Sequence, residues 1–286
     1  MDKKELKKYH KTQLIKLKKY NKLYFEKSKP EVTDAEYDKL KKEILSLEKK
    51  YNFLKSEKSV SEIVGYKPSK NFKKVTHKVP MLSLSNAFSR DDLINFEKKI
   101  INFLSAERNF KIFYSAEPKI DGISASLTYV NGIFTRGLSR GDGNEGEDIT
   151  ENLKTIKDIP KKITSKNFPK EIDIRGEVFI KNSDFKNLSQ KFANPRNAAS
   201  GSLRQKNPAD TKKIPLNFIA YTFGFERGLS INNQSDYLKE LDRWGFKVNP
   251  LNKLISGVNN LIENYNEVEK KRANLDFDID GIVYKI

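Results

Sequence analysis

Residues 112–138 read IFYSAEPKIDGISASLTYVNGIFTRGL, and this stretch decides the fold class. Two runs rich in β-branched and aromatic residues, 112–130 and 133–138, lie on either side of the dipeptide Asn131-Gly132. Asparagine and glycine tolerate a positive φ, which both central positions of a tight hairpin turn require. The stretch therefore predicts an antiparallel β-hairpin.

The remainder of the C-terminal part alternates between strand and helix patterns. The candidates are, in order, 171–180 (strand), 184–192 (helix), 216–225 (strand), 236–244 (helix), 261–272 (helix) and 277–286 (strand). Gly245 follows one of the helices as a stop signal. Strand clusters with interspersed helices predict an α+β domain built on antiparallel sheets with flanking helices.

The N-terminal segment has the periodicity of two amphipathic helices. The apolar face of the first consists of Leu6, Tyr9, Gln13, Leu17, Tyr20 and Tyr24, and that of the second of Tyr37, Leu40, Ile44, Leu47 and Tyr51. Pro30 separates the two, and Thr33 with Glu36 has the spacing of a capping box. We expect a small helical hairpin domain at 1–70, a linker within 59–80, and a second domain at 71–286.

Composition limits the class of protein. With 286 residues, 37% of them hydrophobic, the chain can fill a substantial core. No apolar run approaches the roughly 18 residues of a membrane span, and the lysine-rich start lacks a secretory signal, so we expect a cytoplasmic protein without a membrane partner. The lack of cysteine excludes disulfides and thiolate zinc sites, and with two histidines any metal is held by oxygen ligands.

The chain is strongly basic. A net charge of +17 suits a polyanionic partner such as nucleic acid, because lysines along phosphates release counterions. Lysine, asparagine and isoleucine abound throughout, so biased codon usage explains the same charge equally well. Charge alone leaves both interpretations open.

Glu117, Lys119 and Asp121 alternate along the first strand candidate, so their side chains share one face while Ile120 points to the other. Such a group is most often a solvated polar surface, and a bare Lys-x-Asp-Gly motif favours that interpretation. A nucleophilic lysine needs more, because its amine must lose a proton although the ordinary pKa of lysine is about 10.4. Burial or a nearby cation such as a bound metal ion lowers that pKa.

Three further segments carry isolated charges in glycine-rich or apolar surroundings. Residues 140–143 (RGDG) combine two glycines with Arg140, whose planar fork fits phosphate or ribose oxygens. Residues 174–179 (IRGEVF) place Glu177 in an apolar strand, and residues 278–285 (DIDGIVYK) bring Lys285 onto another. Each charge taken singly also fits a paired structural ion.

In this order, the four segments resemble the nucleotidyltransferase motifs shared by DNA ligases, RNA ligases and mRNA capping enzymes. The resemblance implies an ATP-grasp-like adenylation fold in which Lys119 attacks the α-phosphorus of a nucleotide and forms a lysyl phosphoramidate. It implies a divalent ion, Mg²⁺ or Mn²⁺, to which no side chain is assigned. The implied roles are phosphate stabilisation for Lys285, positioning of the nucleophile for Asp121, adenine recognition for Glu117, ribose recognition for Arg140 and Glu177, and nucleotide binding for Ile120 and Asp280.

The N-terminal hairpin indicates the branch of this superfamily. Residues 34–38 (DAEYD), preceded by Tyr24, look like the NMN-binding module of NAD-dependent, bacterial-type DNA ligases, and the implied NMN contacts are Tyr24, Asp34, Ala35, Glu36, Tyr37 and Asp38. Taken alone, Asp34 fits a helix cap and Tyr37 a hairpin core equally well. Phe25 departs from the family, which has a polar aromatic residue or histidine there, because phenylalanine cannot hydrogen-bond the nucleotide.

Three other stretches are similar to the same family. They are 79–84 (VPMLSL, with Ser83 and Leu84), 192–199 (FANPRNAA, with Arg196) and 201–205 (GSLRQ, with Arg204), and the resemblance implies that these four residues lie at or near the nucleotide. The resemblance covers about 14–286. It implies NAD as the adenylate donor, NMN as the leaving group, and nicked duplex DNA as the partner of the complete, monomeric protein.

Two alternatives remain open from sequence. One is an ATP- or GTP-dependent polynucleotide ligase or capping enzyme, and the other is a non-catalytic NAD- or nucleic-acid-binding module. The family continues past the end of this sequence with a last pocket lysine, an OB-fold, a cysteine zinc module, helix-hairpin-helix elements and a BRCT domain. Because the sequence ends at Ile286, before the OB-fold and the last pocket lysine, we expect competence for self-adenylation at most.

Overall fold

The computed structural model describes residues 2–21, 23, 32, 34–54, 72–107, 110–188 and 190–286. The chain divides into two compact units: the first unit comprises Met1–Leu82 and Arg140–Glu147, and the second unit comprises Ser83–Ser139 and Asp148–Ile286. The domain boundary predicted near Lys70 falls outside the described residues. Within those ranges, no helix is long and apolar enough to cross a membrane.

Helices and antiparallel strands both occur, which confirms the α+β class. The helices are α1 (Lys3–Asn21), α2 (Asp34–Lys50), α3 (Arg90–Phe103), α4 (Thr150–Leu153), α5 (Asn182–Phe185), α6 (Pro195–Leu203), α7 (Pro208–Thr211), α8 (Gln234–Arg243) and α9 (Val258–Lys271). The strands are β1 (Lys74–Thr76), β2 (Phe113–Ile120), β3 (Ile123–Val130), β4 (Ile133–Ser139), β5 (Glu145–Glu147), β6 (Glu171–Ile180), β7 (Leu216–Arg227), β8 (Lys253–Ser256) and β9 (Ile279–Lys285).

The first unit contains the predicted helical hairpin. Helices α1 and α2 pack through Leu17 and Ile44, which are both fully buried, and partly buried side chains of both helices surround them. The apolar faces read from the sequence therefore meet as expected. Helix α2 begins at Asp34, whereas Thr33 of the predicted capping box lies outside the described residues.

The first unit also contains a two-stranded sheet that the sequence did not indicate. Strand β1 pairs antiparallel with β5, so that Lys74 faces Glu147 and Thr76 faces Glu145. The predicted linker at 59–80 is therefore wrong for 74–76, and residues 55–71 lie outside the described part. The pairing partner is distant in sequence, and local composition carries no signal for it.

The second unit is built on two antiparallel sheets, with strand orders β8-β2-β9 and β4-β3-β6-β7. The predicted hairpin is confirmed, because β3 and β4 are joined by Asn131 at φ 49° and Gly132 at φ 76°. The predicted single run 112–130 is instead two strands, β2 and β3, which belong to different sheets. The chain passes between them at Gly122, where a Cβ atom would lie 2.4 Å from the carbonyl oxygen of Val178.

Most helix predictions in the second unit are confirmed. Helix α8 stops before Gly245, which has φ 89°, and α9 covers the third predicted helix. The helix predicted at 184–192 is wrong beyond the short α5, because turns follow that helix. Asn194 caps α6, and Pro195 occupies the first position of α6. Helices α3 and α6 were not predicted.

Candidate active site

Lys119, the predicted nucleophile, lies near the end of β2 and beside β9. In the register of these two strands Lys119 faces Gly281, and the register shifts between Lys119 and Ile120. At this irregularity the Nζ atom of Lys119 forms an ion pair with Oδ2 of Asp280. The Lys119 side chain is 48% exposed, so a ligand can reach its amine.

Asp121 follows β2 and contacts α6. Its Oδ1 atom accepts a hydrogen bond of 2.5 Å from Nη1 of Arg196, at the second position of α6. Burial raises the pKa of Asp121, the Arg196 charge opposes that rise, and Asp280 adds to it. Opposed effects of this kind arise where several charges share a partly desolvated site.

Glu177 lies on β6 opposite Ser124 of β3, whose Oγ atom donates to Oε2 of Glu177 at 2.8 Å. Burial raises the pKa of Glu177 to about 7, while Arg196, Ser124 and Lys119 limit the rise and Asp121 adds to it. The charges of Lys119, Asp121, Glu177, Asp280 and Arg196 thus act on one another as a single cluster at the end of β2.

A second polar group surrounds Glu117, two residues before Lys119 on β2. Nζ of Lys285 donates to Oε2 of Glu117 at 2.7 Å and to the carbonyl oxygen of Tyr221 at 2.8 Å. Ser115 Oγ and Gln234 Nε2 donate to Oε1 of Glu117 at 2.9 and 2.8 Å. Burial lowers the pKa of Lys285, and the charge of Glu117 opposes this shift.

These two groups give β2 a reactive face. One end carries an accessible amine between carboxylates, and the other carries a buried carboxylate held by a lysine, an amide and a hydroxyl group. Arg196 would stabilise negative charge on an electrophile bound at Lys119, and Glu117 could form hydrogen bonds with the edge of a bound ring. Such a division suits the transfer of a nucleotidyl group to lysine.

Comparison with known proteins gives the family. Residues 69–286 match the model of the NAD-dependent DNA ligase adenylation domain. The chain belongs to this ligase family. Residues 3–65 match the DNA ligase-like, N-terminal NAD+-binding domain, so both predicted parts of the ligase are present and the predicted family is confirmed.

Similar ligases come from several bacteria. The chain is 64% identical over 267 residues to a DNA ligase of Pelagibacter ubique, covering 93% of this chain and 40% of that protein. It is 46% identical over 278 residues to a DNA ligase of Parvibaculum lavamentivorans, with 94% and 39% covered, and 43% identical over 276 residues to one of Rhodospirillum rubrum, with 93% and 40% covered. The chain spans about two fifths of the length of these relatives.

The predicted NMN contacts belong to the first unit of the ligase chain. Asp34, Ala35, Glu36, Tyr37 and Asp38 form the start of α2, where Glu36 is exposed and the hydroxyl of half-buried Tyr37 donates to Asn21 Oδ1 at 2.7 Å. Tyr24 and Phe25 lie outside the described residues. The module therefore has the expected hairpin, while its ligand contacts remain predictions.

Arg140 also belongs to the first unit. Its Nε atom donates to the carbonyl oxygen of Met81 at 3.2 Å, and Nε2 of His77 lies 3.2 Å from the Arg140 carbonyl oxygen. Gly141 and Gly143 have φ 58° and 94°. The ligand approach at these glycines and the ribose contact of Arg140 stay predictions.

The other predicted residues lie in the second unit of the ligase. Ser83 and Leu84 are exposed on an irregular segment, and Arg204 is the C-terminal cap of α6. The side chain of Ile120 packs in a buried cluster with Phe179 and Ile219, on the opposite face from Lys119 as predicted. The nucleotide contact of Ile120 stays a prediction.

Sequence reasoning missed three contributors to the ligase site: Ser115, Tyr221 and Gln234. Each supplies a hydrogen bond to Glu117 or Lys285. Tyr221 also places its ring centroid 5.2 Å from Nζ of Lys285. None stands in a charged motif; Gln234 could have been noticed only as the first residue of a helix capped by Asn233.

In the part of the chain that the structure describes, no group of three or more histidine, cysteine, aspartate or glutamate side chains could hold a metal ion. Asp121 and Asp280 both interact with Lys119 and with each other. Two carboxylates fit Mg²⁺, which commonly takes one or two from a protein and completes its shell with water and substrate phosphate.

Proposed function

We propose that this chain catalyses the first chemical step of an NAD-dependent DNA ligase, the transfer of AMP from NAD to Lys119. Nζ of Lys119 forms a bond to the α-phosphorus, and the bond from that phosphorus to the bridging oxygen breaks. NMN leaves with the electron pair, and the amine loses its proton. The observation that carries the proposal is the accessible Lys119 amine beside Asp280, Asp121 and Arg196.

Asp280 is placed to receive the proton of Lys119. It accepts a hydrogen bond from the ammonium group, so no rearrangement is needed before transfer to it or through it to water. Arg196, held by Asp121, supplies positive charge for the phosphate oxygens. Mg²⁺ or Mn²⁺ near Asp121 and Asp280 would add charge neutralisation at the same phosphate.

Glu117 and Glu177 are proposed to bind the nucleoside. Glu117 is 4% exposed and held by fixed donors, which suits recognition of the adenine edge, and Glu177 suits the ribose hydroxyls. Lys285 is proposed to stabilise phosphate charge. Its Nζ atom donates to Glu117 and Tyr221, and the third proton of the ammonium group is proposed to bind a phosphate oxygen.

The first unit is proposed to bind the NMN half of NAD through Tyr24 and the start of α2, and Arg140 is proposed to bind the ribose. The adenylated protein would then activate the 5′-phosphate of nicked duplex DNA in the complete ligase. The charge of +17 suits this polyanionic partner, and we propose a cytoplasmic monomer.

Intact-protein mass spectrometry tests the proposal. Incubation with NAD and Mg²⁺ should add the mass of one AMP and release NMN, and Lys119→Ala should abolish the adduct. Lys253→Ala is a matched control, because Lys253 is a strand lysine with 49% side-chain exposure and its own carboxylate partner, Glu267. An adduct that survives Lys119→Ala would refute the acceptor assignment.

The same measurement separates the alternatives. An adduct from ATP or GTP, with none from NAD, would identify a different donor class. NAD binding that is unchanged by Lys119→Ala, together with no adduct in the unaltered chain, would identify a non-catalytic binding module. The match of 69–286 to the NAD-dependent family supports NAD as the donor.

A further inference from the structure

Gln234 uses both protons of its side-chain amide inside the site. Its Nε2 atom donates to Oε1 of Glu117 at 2.8 Å and to the carbonyl oxygen of Tyr221 at 2.7 Å. Only a nitrogen can donate to a carboxylate and a carbonyl together, so the orientation of the amide is determined. The backbone of Gln234 is fixed as well, because it opens α8 directly after the N-cap Asn233, which accepts from Asp236.

The hydrogen bonds of Glu117 leave one direction open. Oε1 accepts from Ser115 and Gln234, while Oε2 accepts from Lys285. A carboxylate has about four acceptor sites, two on each oxygen. With three filled by described residues, the fourth lies on Oε2. Because Oε1 is held by two donors, the carboxylate cannot turn and offers a ligand an acceptor but no donor.

We propose that Gln234 is a positioning residue that makes the nucleotide site selective for a purine with an amino group at carbon 6. The inference rests on the proposed role of Glu117 in binding the base. A 6-amino group donates a hydrogen bond to the open lone pair of Oε2. A 6-oxo group is an acceptor, so its lone pair would repel that of Oε2. Without Gln234 the carboxyl group can rotate, so its open lone pair no longer has a fixed direction and the discrimination between the two groups falls.

A purely structural role makes a different prediction. Gln234 also links β2 with β7, which carries Tyr221 in the other sheet. Loss of that link alone would weaken the use of every nucleotide to a similar extent. The ratio between adenine and hypoxanthine substrates therefore distinguishes base selection from support of the fold.

The experiment compares NAD with nicotinamide hypoxanthine dinucleotide on the full 286-residue chain. Initial rates of AMP or IMP adduct formation are measured by intact mass, at several concentrations of each dinucleotide. The unaltered chain should prefer NAD, and Gln234→Leu, which removes both donors, should lower that preference by about tenfold. Leu241→Ala, which removes a buried side chain of α8 and leaves the donors and the cap, should lower thermal stability without changing the preference.

Gln234→Glu adds a test by pH. The new carboxyl group can donate to Glu117 only while it is protonated, so the KM for NAD should rise with pH in this variant and not in the unaltered chain. This isosteric variant decides the matter if Gln234→Leu does not fold. A pH-independent KM in Gln234→Glu would overturn the proposal.

The unaltered chain separates failure of the inference from failure of the proposed function. If it forms no adduct with NAD, the proposed function fails and the inference fails with it. If it forms adducts equally well from both dinucleotides, or if Gln234→Leu keeps the full preference for NAD, only the assignment of Gln234 is overturned.

Discussion

Replacement of Glu177 by glutamine should stabilise the protein at high pH. Burial raises the pKa of Glu177 to about 7 from its ordinary 4.5, so between these values the folded chain holds a proton that the unfolded chain has lost. The folded state therefore binds more protons, and its stability falls as pH rises through this window. Below pH 4.5 the carboxyl group of Glu177 is protonated in both the folded and the unfolded chain.

The magnitude follows from the shift in pKa. A change of about 2.5 units at about 1.4 kcal/mol per unit gives about 3 kcal/mol of stability that the unaltered chain loses between pH 4.5 and pH 8. Glutamine has no charge in either state and can still accept from Ser124. The free energy of unfolding of Glu177→Gln, relative to the unaltered chain, should thus rise with pH and then level off.

Urea unfolding at several pH values between 4.5 and 8 measures this difference. Carboxyl groups that do not interact with Glu177 contribute equally in both proteins and cancel in the comparison. Glu267→Gln is a control of opposite sign: its hydrogen bond with Lys253 lowers the pKa of exposed Glu267, so this residue contributes stability that is lost as pH falls. A Glu177→Gln difference that stays constant with pH would refute the reasoning.

Two further predictions concern the nucleophile and the hairpin. Asp280→Asn removes the carboxylate that pairs with Lys119, so adduct formation should slow by about 10²- to 10⁴-fold. The Kd for NAD, measured by calorimetry, should change little. A rate of adduct formation within a factor of two of the original would contradict the role of Asp280. Ile44→Ala opens a cavity against Leu17 and should lower the free energy of unfolding of the helical hairpin by about 2–5 kcal/mol, measured in urea; a loss below 0.5 kcal/mol would show that this contact is not its core.

The sequence was informative where local pattern and structure coincide. Asn131-Gly132 predicted the hairpin because a tight turn depends on a few residues and their φ angles. The spacing of Glu117, Lys119 and Ile120 predicted that Ile120 points to the opposite face from Lys119, because the strand period is local as well. Such features need no knowledge of distant partners.

The missed features depend on partners far along the chain. The sequence predicts one strand over residues 112–130 because both β2 and β3 have strand composition, and the separation at Gly122 reflects its approach to β6. The pairing of β1 with β5 has the same cause. Gln234 and Glu117 are 117 positions apart, and a neutral amide carries no motif, so only the folded chain shows that they meet.

The two polar groups on β2 place opposite demands on their carboxylates. The ion pair between Asp280 and Lys119 must break before the amine attacks. The side chain of Asp280 is 23% exposed, so water can replace Lys119 and the free-energy cost of breaking the pair is small. Glu117 must keep its charge and direction while a ligand binds, and its burial makes each of its three donors costly to lose. The exposed pair therefore suits chemistry and the buried network suits recognition, which explains how one strand can serve both without a change in backbone.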